Sequence, residues 1–521
     1  MSKITKSELF TLLEARHEND KYSRLANLPK PDRFKDIKKA TLRIKKAITN
    51  NEQITIVGDY DVDGVVSTTI IVDFFKRIGV EVNYIIPNRF EHGYGLSPKI
   101  VDMIDDGLVI TVDNGISAVD AALKLKEKNI DLIITDHHTV GEKIPDAFAI
   151  VNPKQEDCTF PFKEICGAQV AWYLCAAIKQ EINATVELQE FFDLLSVAII
   201  ADIMPMTSLN YTMVKHGLKK IKTSKRPAFI KINEMMKKEF FVSDDVGFTI
   251  APKINSAGRM DDASIALSFL LSENEYEAND GLQMLEELNC YRKTLQEEIS
   301  QKANKATNKE DNGVIVWGEG WHEGVIGIVA SKLSNAYKKP AFIFSIKDGI
   351  AKGSARANAN INLHSIISET SDLLLGFGGH KNAAGLSLKV ENLDEFKSRI
   401  NILLNVEPEE LHIEHDVLGE LDISCVDLEF LDIIEKFEPY GLENHRPIFK
   451  VSNSKVLKSQ LFGRDQNHLK LTLSNNGFVF EALRFNADRK ILADYIDLVV
   501  AVNKNEFRGQ INPQFLIQDI L

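Results

Sequence analysis

Sulfur is scarce in this chain of 521 residues. Its five cysteines are an odd number with no CxxC pair, which argues against a disulfide framework or a structural zinc site and points to a reducing cytosol. Long hydrophobic runs are missing too. The longest candidate, LLSVAII, is ended by Ala201 and Asp202, so no bilayer span and no membrane partner are expected. The opening segment, MSKITKSELFTLLEARHEND, is polar and charged and lacks the apolar core of a signal peptide, so a cytoplasmic location is expected. No internal repeat or low-complexity tract is present.

Basic residues are in deficit: 62 Lys and Arg stand against 75 Asp and Glu, a formal net charge of -13. A net-acidic surface repels phosphate backbones. Carboxylates that hold cations are neutralised by them, however, and local patches decide binding rather than the sum. Two basic patches occur: Lys38, Lys39, Arg43, Lys45 and Lys46, then Lys215, Lys219, Lys220, Lys222, Lys225 and Arg226. Each reads first as the solvated face of an amphipathic helix, which permits a polyanion without requiring one. At 44% hydrophobic the chain is too long for one core and should divide into about three or four domains.

What the chain does have is aspartate at the ends of apolar runs: ITIVGDYDVDG, LVITVDNG, IDLIITDHH and, after a helical stretch, AIIADIMP. From Glu52 to about Pro153, β-branched runs alternate with helical periods, the pattern of right-handed βαβ crossovers and a mainly parallel sheet. Ligands of such sheets bind at the carboxyl ends of the strands. Asp59, Asp113 and Asp136 each follow a strand, so acids far apart in sequence should converge on one edge. Residues from about Phe160 to Lys238 read as helical, with Asp202 closing FFDLLSVAIIADIMP before Pro205. A long charged helix from about Glu275 to Ala306 should link domains. A second βα pattern runs from GVIVWGEG through EGVIGIVASKLSNAY to PAFIFSI and ends near Leu404. After NVEPEELHIEHD the chain is strand-rich with Gly and Asn turns, which suggests a small closed barrel.

The segment DYDVDG places Asp59, Asp61 and Asp63 at alternate positions, and in extended geometry alternate side chains share a face. A turn with Asp as helix cap would need only one of them. Gly64 is read as allowing a phosphate close to the amides of the following helix. Clustered carboxylates repel one another and lose hydration, so a group of this size implies divalent cations. Asp113 in VDNG and the pair His137 and His138 supply further donors. Imidazole mixed with carboxylate suits Mn2+ or Zn2+ better than Mg2+ or Ca2+, and Mn2+ is the first expectation. If the strand continued, only one histidine could face the metals. His137 is therefore expected as the ligand, with His138 touching substrate or bracing the site.

In this order, DYDVDG, VDNG, TDHH and ADIMP resemble the motifs of the DHH phosphoesterase superfamily over roughly Glu52 to Met206. The resemblance implies that Asp61, Asp63, Asp113, His137 and Asp202 hold metal, with Asp59 and His138 close by. It also implies two ions, Mn2+ or Mg2+, one generating a hydroxide and both stabilising an in-line attack on a phosphodiester. KGSARA (Lys352 to Ala357) and GFGGHKNAAG (Gly376 to Gly385) resemble the substrate-gripping motifs of the DHHA1 domain. Ser354 and Arg356 on a glycine-bordered strand could grip a phosphate, the arginine with bidentate geometry. Gly378 and Gly379 beside His380 would let backbone amides approach an anion.

INSAGRMDD (Ile254 to Asp262) and PYGLENHRPIF (Pro439 to Phe449) resemble segments of the RecJ family of single-strand DNA exonucleases, the second departing from the expected glycine and asparagine pattern. This resemblance covers about residues 50 to 520 and implies an α/β fold in successive parts. These are an N-terminal helical segment (1–50), a mainly parallel-sheet DHH domain with a helical insertion (51–270), a long linking helix (271–308), a smaller α/β DHHA1 domain (309–405) and an oligonucleotide-binding (OB) barrel (406–521). In the barrel, Phe449, Phe462, Phe478, Phe480, Phe485 and Phe507 are interleaved with Lys450, Arg464, Lys470, Arg484 and Arg508, which suits base stacking beside phosphate pairing. Most of those phenylalanines are nevertheless expected in the barrel core.

The implied activity is two-metal, 5′-to-3′ hydrolysis of single-stranded DNA to 5′-mononucleotides in recombination and repair, by a monomer. Arg259, from SAGRM, and Arg356 are candidates for lining the strand's path. Single-strand-binding protein and a helicase are candidate protein partners. Two rivals share the metal centre's motifs. A phosphodiesterase of short oligonucleotides or cyclic dinucleotides would need no extended C-terminal platform. An inactive scaffold of the replication machinery would be expected to have lost acidic and histidine positions that this chain keeps.

Overall fold

The computed structural model describes residues 3–18, 20–357, 361–404, 416–463, 466–485, 487, 489–507 and 510–521; Arg464, Arg508 and the side chain of Phe507 lie outside what is described. Strands buried on both faces must be apolar at nearly every position, and the runs ITIV, LVITV and DLIIT are so buried. They form the centre of a five-stranded, wholly parallel sheet in the order Asn83–Ile85, Ile54–Val57, Leu108–Val112, Asp131–Thr135, Ala149–Val151. Alternation sorts their side chains between two cores. Ile56, Ile110 and Ile133 pack with Val66, Phe74 and Leu195 on one face, while Val109, Leu132 and Ile134 meet Ile100, Ala121 and Leu125 on the other. The short edge strand Ala149–Val151 was not anticipated.

Four helices, Gly167–Ile182, Phe192–Ala201, Ser208–Thr223 and Pro227–Met236, fill the region read as helical. The helix Glu275–Ala306 has the expected bounds, and at 1.5 Å per residue it is about 48 Å long. It is a packed strut rather than a free tether, lying against Pro227–Met236, Ala251–Met260 and Ser264–Leu271 on one side and Glu323–Tyr337 of the next domain on the other.

That next domain has a mixed five-stranded sheet, Leu374–Gly379, Ala383–Lys389, Ile350–Arg356, Ala341–Lys347, Val314–Glu319. The expected βα crossover accounts for its one parallel pair, Val314–Glu319 with Ala341–Lys347, and the remaining pairs are antiparallel.

The C-terminal strands Ile448–Phe462, His468–Asn475, Phe478–Phe485, Gln510–Ile520 and Tyr495–Phe507 close into a barrel when the last pairs with the first. Phe449 and Phe480 lie in its core with Leu471, Leu498 and Val500. Fewer phenylalanines face inward than expected, because Phe478 and Phe485 are half exposed. The register explains Phe485: it sits opposite His468, which sits opposite Phe462, and the three rings share the outer face.

The stretch 1–50, expected as one helical segment, is divided between two bodies. Lys3–Ile4 adds a parallel strand to Val417–Leu421, and helix Lys6–Ala15 packs on Leu428–Lys436 beside the barrel. Helix Ile37–Thr49 packs instead on Gly167–Ile182 of the first domain. Each basic patch is neutralised in part within the fold. Arg43 is buried between Glu52 and Asp131, Lys45 pairs with Glu181, Lys220 with Glu190 and Arg226 with Asp73. Among the described residues no helix is long and apolar enough to cross a membrane.

Candidate metal centre

Each acidic motif stands where a strand or helix ends, and the backbone there fixes its carboxylate. After Val57 the chain does not stay extended, so the alternate spacing of DYDVDG works differently from the expectation. Asp61 is the N-cap of helix Val62–Arg77, its carboxylate accepting from Gly64 N at 3.0 Å, and Asp63 stands in the first helical turn. The amide expected to greet a phosphate is thus taken by Asp61. Gly64 serves packing, since a Cβ there would lie 2.6 Å from the Asp59 carbonyl oxygen. Asp63 accepts from Gly167 N (2.6 Å) and Ala168 N (2.9 Å), so the N-terminus of helix Gly167–Ile182 holds this carboxylate.

Asp113 adopts φ 62°, a left-handed conformation that Asp and Asn tolerate better than most residues. Asn114 anchors the turn by donating to Val57 O and Val112 O and accepting from Leu96 N. The strand stops at Thr135, so the rule that would separate the two histidines does not apply, and their ring centroids lie 4.4 Å apart. Asp136 is buried beneath them. It accepts from His137 N, His138 N and Ile116 N, and lies 2.7 Å from His138 Nδ1. Asp202 ends helix Phe192–Ala201 in a Schellman turn: Ile203 N donates to Ile200 O and Met204 N to Ile199 O. The position that normally takes glycine is Ile203, with φ 55°.

These ends converge. His137 Nε2 lies 3.2 Å from an oxygen of Asp113, 3.6 Å from Asp202 and 3.7 Å from Asp63. Three overlapping trios have donor atoms within 4.8 Å of one another: Asp113, His137 and His138; Asp63, His137 and Asp202; Asp59, Asp61 and Asp113.

Burial, followed by the charge of Asp61, pushes the Asp59 carboxyl well up, and burial with the charges of Asp63, Asp61 and Asp202 does the same to Asp113. Burial raises Asp63 as well, and burial with Asp63 and Asp61 pushes Asp202 up to about 8. Asp136 goes the other way: against the effect of burial, the hydrogen bonds from His138 and the backbone hold it below the usual carboxylate range. His138, half-buried but paired with Asp136, is raised to about 9. One oxygen each of Asp59, Asp113 and Asp202 is buried without a hydrogen-bond partner. Oxygens crowded together, stripped of water and given no donor are what a divalent cation requires, and carboxylates with imidazole suit Mn2+.

Beside this cluster a cleft of about 510 Å³ separates the first domain from the second, lined by Arg89, Arg259, Lys352, Ser354 and Arg356. The walls touch closely at its base, where a Cβ on Gly324 would come within 1.9 Å of Arg259 O. Arg259 is half-buried, and burial with the neighbouring charge of Arg89 lowers it to about 10. Arg356 Nη1 donates to Ser354 Oγ (2.9 Å) and Ala355 O (2.8 Å).

Three family models match the chain: the DHH family, N-terminal domain, over residues 53–199, the DHHA1 domain over 297–405 and the RecJ OB domain over 418–519. The single-stranded-DNA-specific exonuclease RecJ of Haemophilus influenzae is 34% identical over 531 residues, covering 95% of this chain and 92% of the relative. The chain belongs to the RecJ family. RecJ of Bacillus subtilis is also 34% identical, over 94% of this chain, which spans 64% of that relative's length. The crystal structure of Thermus thermophilus RecJ in complex with Mn2+ superposes with a TM-score of 0.83 at 27% identity, covering 99% of this chain and 76% of the other. A second structure of that RecJ is in complex with Mg2+. An exonuclease RecJ bound to manganese matches at 32% identity and a TM-score of 0.63, over 71% of this chain and 94% of the other. The donor set found here fits either ion of its RecJ neighbours.

Of the residues singled out from sequence, the fold gathers Asp59, Asp61, Asp63, Asp113, His137, His138 and Asp202 at one site, and Arg259, Ser354 and Arg356 around the cleft. Gly378, Gly379 and His380 stand apart, at the end of the hairpin formed by Leu374–Gly379 and Ala383–Lys389, where His380 N donates to Ala383 O. The cleft is lined instead by Gly376, Phe377 and Gly385 of the same hairpin. Sequence reasoning missed Arg89, a lone arginine in an irregular loop. Its guanidinium lies 4.2 Å from the Tyr60 ring centroid, and its Nε is buried without a partner.

Proposed function

We propose that this RecJ-family chain is a metal-dependent exonuclease that hydrolyses single-stranded DNA from the 5′ end, releasing 5′-mononucleotides in recombination and repair. One observation carries the reading: partnerless buried carboxylate oxygens are clustered close to an arginine-lined cleft, near enough that Arg89 acts on the Asp59 carboxyl and Asp61 on the Arg259 guanidinium. In this reading Asp59, Asp61, Asp63, Asp113, His137 and Asp202 hold two divalent cations. When bound, these supply Lewis-acid polarisation of the scissile phosphodiester and stabilise its developing charge.

The chain's own residues do the rest. Arg89, Arg259, Ser354 and Arg356 hold the strand's phosphates, as charge-assisted donors do best. Asp136 engages His138 Nδ1, leaving Nε2 as the ring atom to meet substrate. Gly378, Gly379 and His380 offer a further anion contact at the outer end of the hairpin. The polarity follows the RecJ likeness, and the enzyme acts as a cytoplasmic monomer. A single strand can thread between two closely packed domains where a duplex cannot. The C-terminal barrel favours a long strand over a dinucleotide, which needs no extended platform.

Incubating the protein with 5′- or 3′-labelled single strands, duplex DNA and a dinucleotide, each with Mn2+ or Mg2+, tests the reading. Immediate release of the 5′ label as mononucleotide from the long single strand supports it. Activity confined to the dinucleotide, or progressive loss from the 3′ end, overturns it.

A further inference from the structure

Asp202 stands at the open rim of the metal centre. The Asp61 and Asp63 carboxylates are pinned by backbone amides, and the side chains of Asp63 and Asp113 are only 3% and 2% exposed. That of Asp202 is 30% exposed, and its Oδ2 has no hydrogen-bond partner. It also faces the charges of Asp63 and Asp61. Such a carboxylate stays within reach of a cation only as well as its backbone turn is fixed.

The turn is fixed from another domain. The Schellman bonds use the amides of Ile203 and Met204, and Pro205 has no amide to give. The next amide, that of the buried Met206, donates to Leu442 O at 2.6 Å. Leu442 belongs to the segment leading into the barrel and sits in a tight loop closed by a pair of bonds between Gly441 and Asn444. Asn444 Nδ2 donates to Pro439 O within this loop, and Arg16 of the N-terminal segment braces it by donating to Asn444 Oδ1 and His445 O. Gly441 lies against Met206, where a Cβ would come within 3.3 Å of the methionine side chain. With the loop withdrawn, a buried amide four residues from Asp202 would lose its acceptor, a cost that a chain relieves by shifting the turn.

We propose that the loop 439–444 positions Asp202 by holding its turn, so that seating of the barrel module and affinity for the cations are linked. The linkage is reciprocal: a seated loop raises the affinity for the ions, and bound ions tighten the seat. The module thus acts on the metal centre through the backbone alone, without touching the ions. The inference rests on Asp202 being a ligand and adds to that reading what keeps the ligand in place.

Calorimetric titration of the full chain with Mn2+, in the absence of DNA, tests the linkage. Gly441→Val sets a branched side chain against Met206 and is expected to raise the Kd for Mn2+ about tenfold, the scale on which groups behind metal ligands act. Gly441→Ala should stay near the parent, because the flexible methionine can give way to one methyl group. Arg16→Ala, at an exposed position, should raise the Kd by less and decides alone if Gly441→Val does not fold. Hydrogen exchange at the Met206 amide should be slowed by Mn2+ in the parent and be faster in Gly441→Val, and excess Mn2+ should return the variant's turnover to the parental rate. A loop serving only the stability of the barrel would leave the Kd and the exchange response unmoved. Asp202→Asn is the control. If it weakens Mn2+ binding while folded Gly441→Val and Arg16→Ala bind as the parent does, the positioning role is overturned and the metal reading stands. Unchanged Mn2+ affinity in Asp202→Asn overturns both.

Discussion

At the scale of single residues the centre is a store of unfavourable charge. Asp61→Ala should abolish DNA hydrolysis, by about a thousandfold or more on loss of a ligand, while circular dichroism shows the fold intact because one fewer carboxylate eases the crowding. At Asp113 the positive φ makes Asn the clean probe and Ala a strained one. Asp113→Asn should be inactive yet at least as heat-stable as the parent without metal. Protonation gives a second check. Burial and the charges of Asp63 and Asp61 raise Asp202 to about 8, from an ordinary value of about 3.9 when unfolded. Between those values the metal-free folded state binds more protons than the unfolded one, so stability falls as pH rises across the window. Without divalent ions Tm should drop from pH 5 to pH 8, and saturating Mn2+ should flatten that slope; a metal-free Tm rising over the range contradicts it.

The gathering of Asp59, Asp113 and Asp136 was legible in sequence, because strand order alone forces parallel-strand ends onto one edge, whereas Asp202, at the end of a helix, was reached only through the family resemblance. The reason for DYDVDG was not. The chain bends into a helix after Val57, and only coordinates reveal that Asp63 is held by amides from residues 167 and 168. Arg89 left no periodic trace.

At the scale of elements, the close approach of helix Glu323–Tyr337 to the segment carrying Arg259 sets the width of the cleft. Gly324→Ala would drive a methyl group into the Arg259 carbonyl, 1.9 Å away, so the two walls must part. Expected is a loss of more than about tenfold in kcat/KM on single strands, as misplacement of binding groups commonly costs, with the Mn2+-induced rise in Tm retained. Loss of the metal response would place the damage in the wrong domain. Long helices such as Glu275–Ala306 were read to the residue because period and charge persist over many turns. The π-turn at Val246–Ile250 and the three-residue strand Ala149–Val151 escaped, being too short for any period to register. In the barrel, alternation was visible but its phase was not. Phe485 and Phe462 therefore lie outside, where the hydrophobic pattern alone favoured the core.

At the scale of the whole molecule, the first residues belong to the last domain. Leu9 and Leu13 are fully buried against the barrel's satellite helix, in one core with Phe430, Leu431 and Phe449. Leu9→Ala should cost about 2–5 kcal/mol, and the loss should fall on the barrel alone. Urea unfolding should then split into two transitions, the earlier reporting the C-terminal core, while metal-dependent hydrolysis of very short substrates survives it. A single shifted transition would show that the two bodies unfold together. The pairing of Lys3 with Glu420 has a mechanical result. A module hung on one covalent hinge can swing wide, whereas this one is fastened by chain crossings on both flanks, like a door hung on both jambs. Two such attachments leave it a narrower arc of swing than one would.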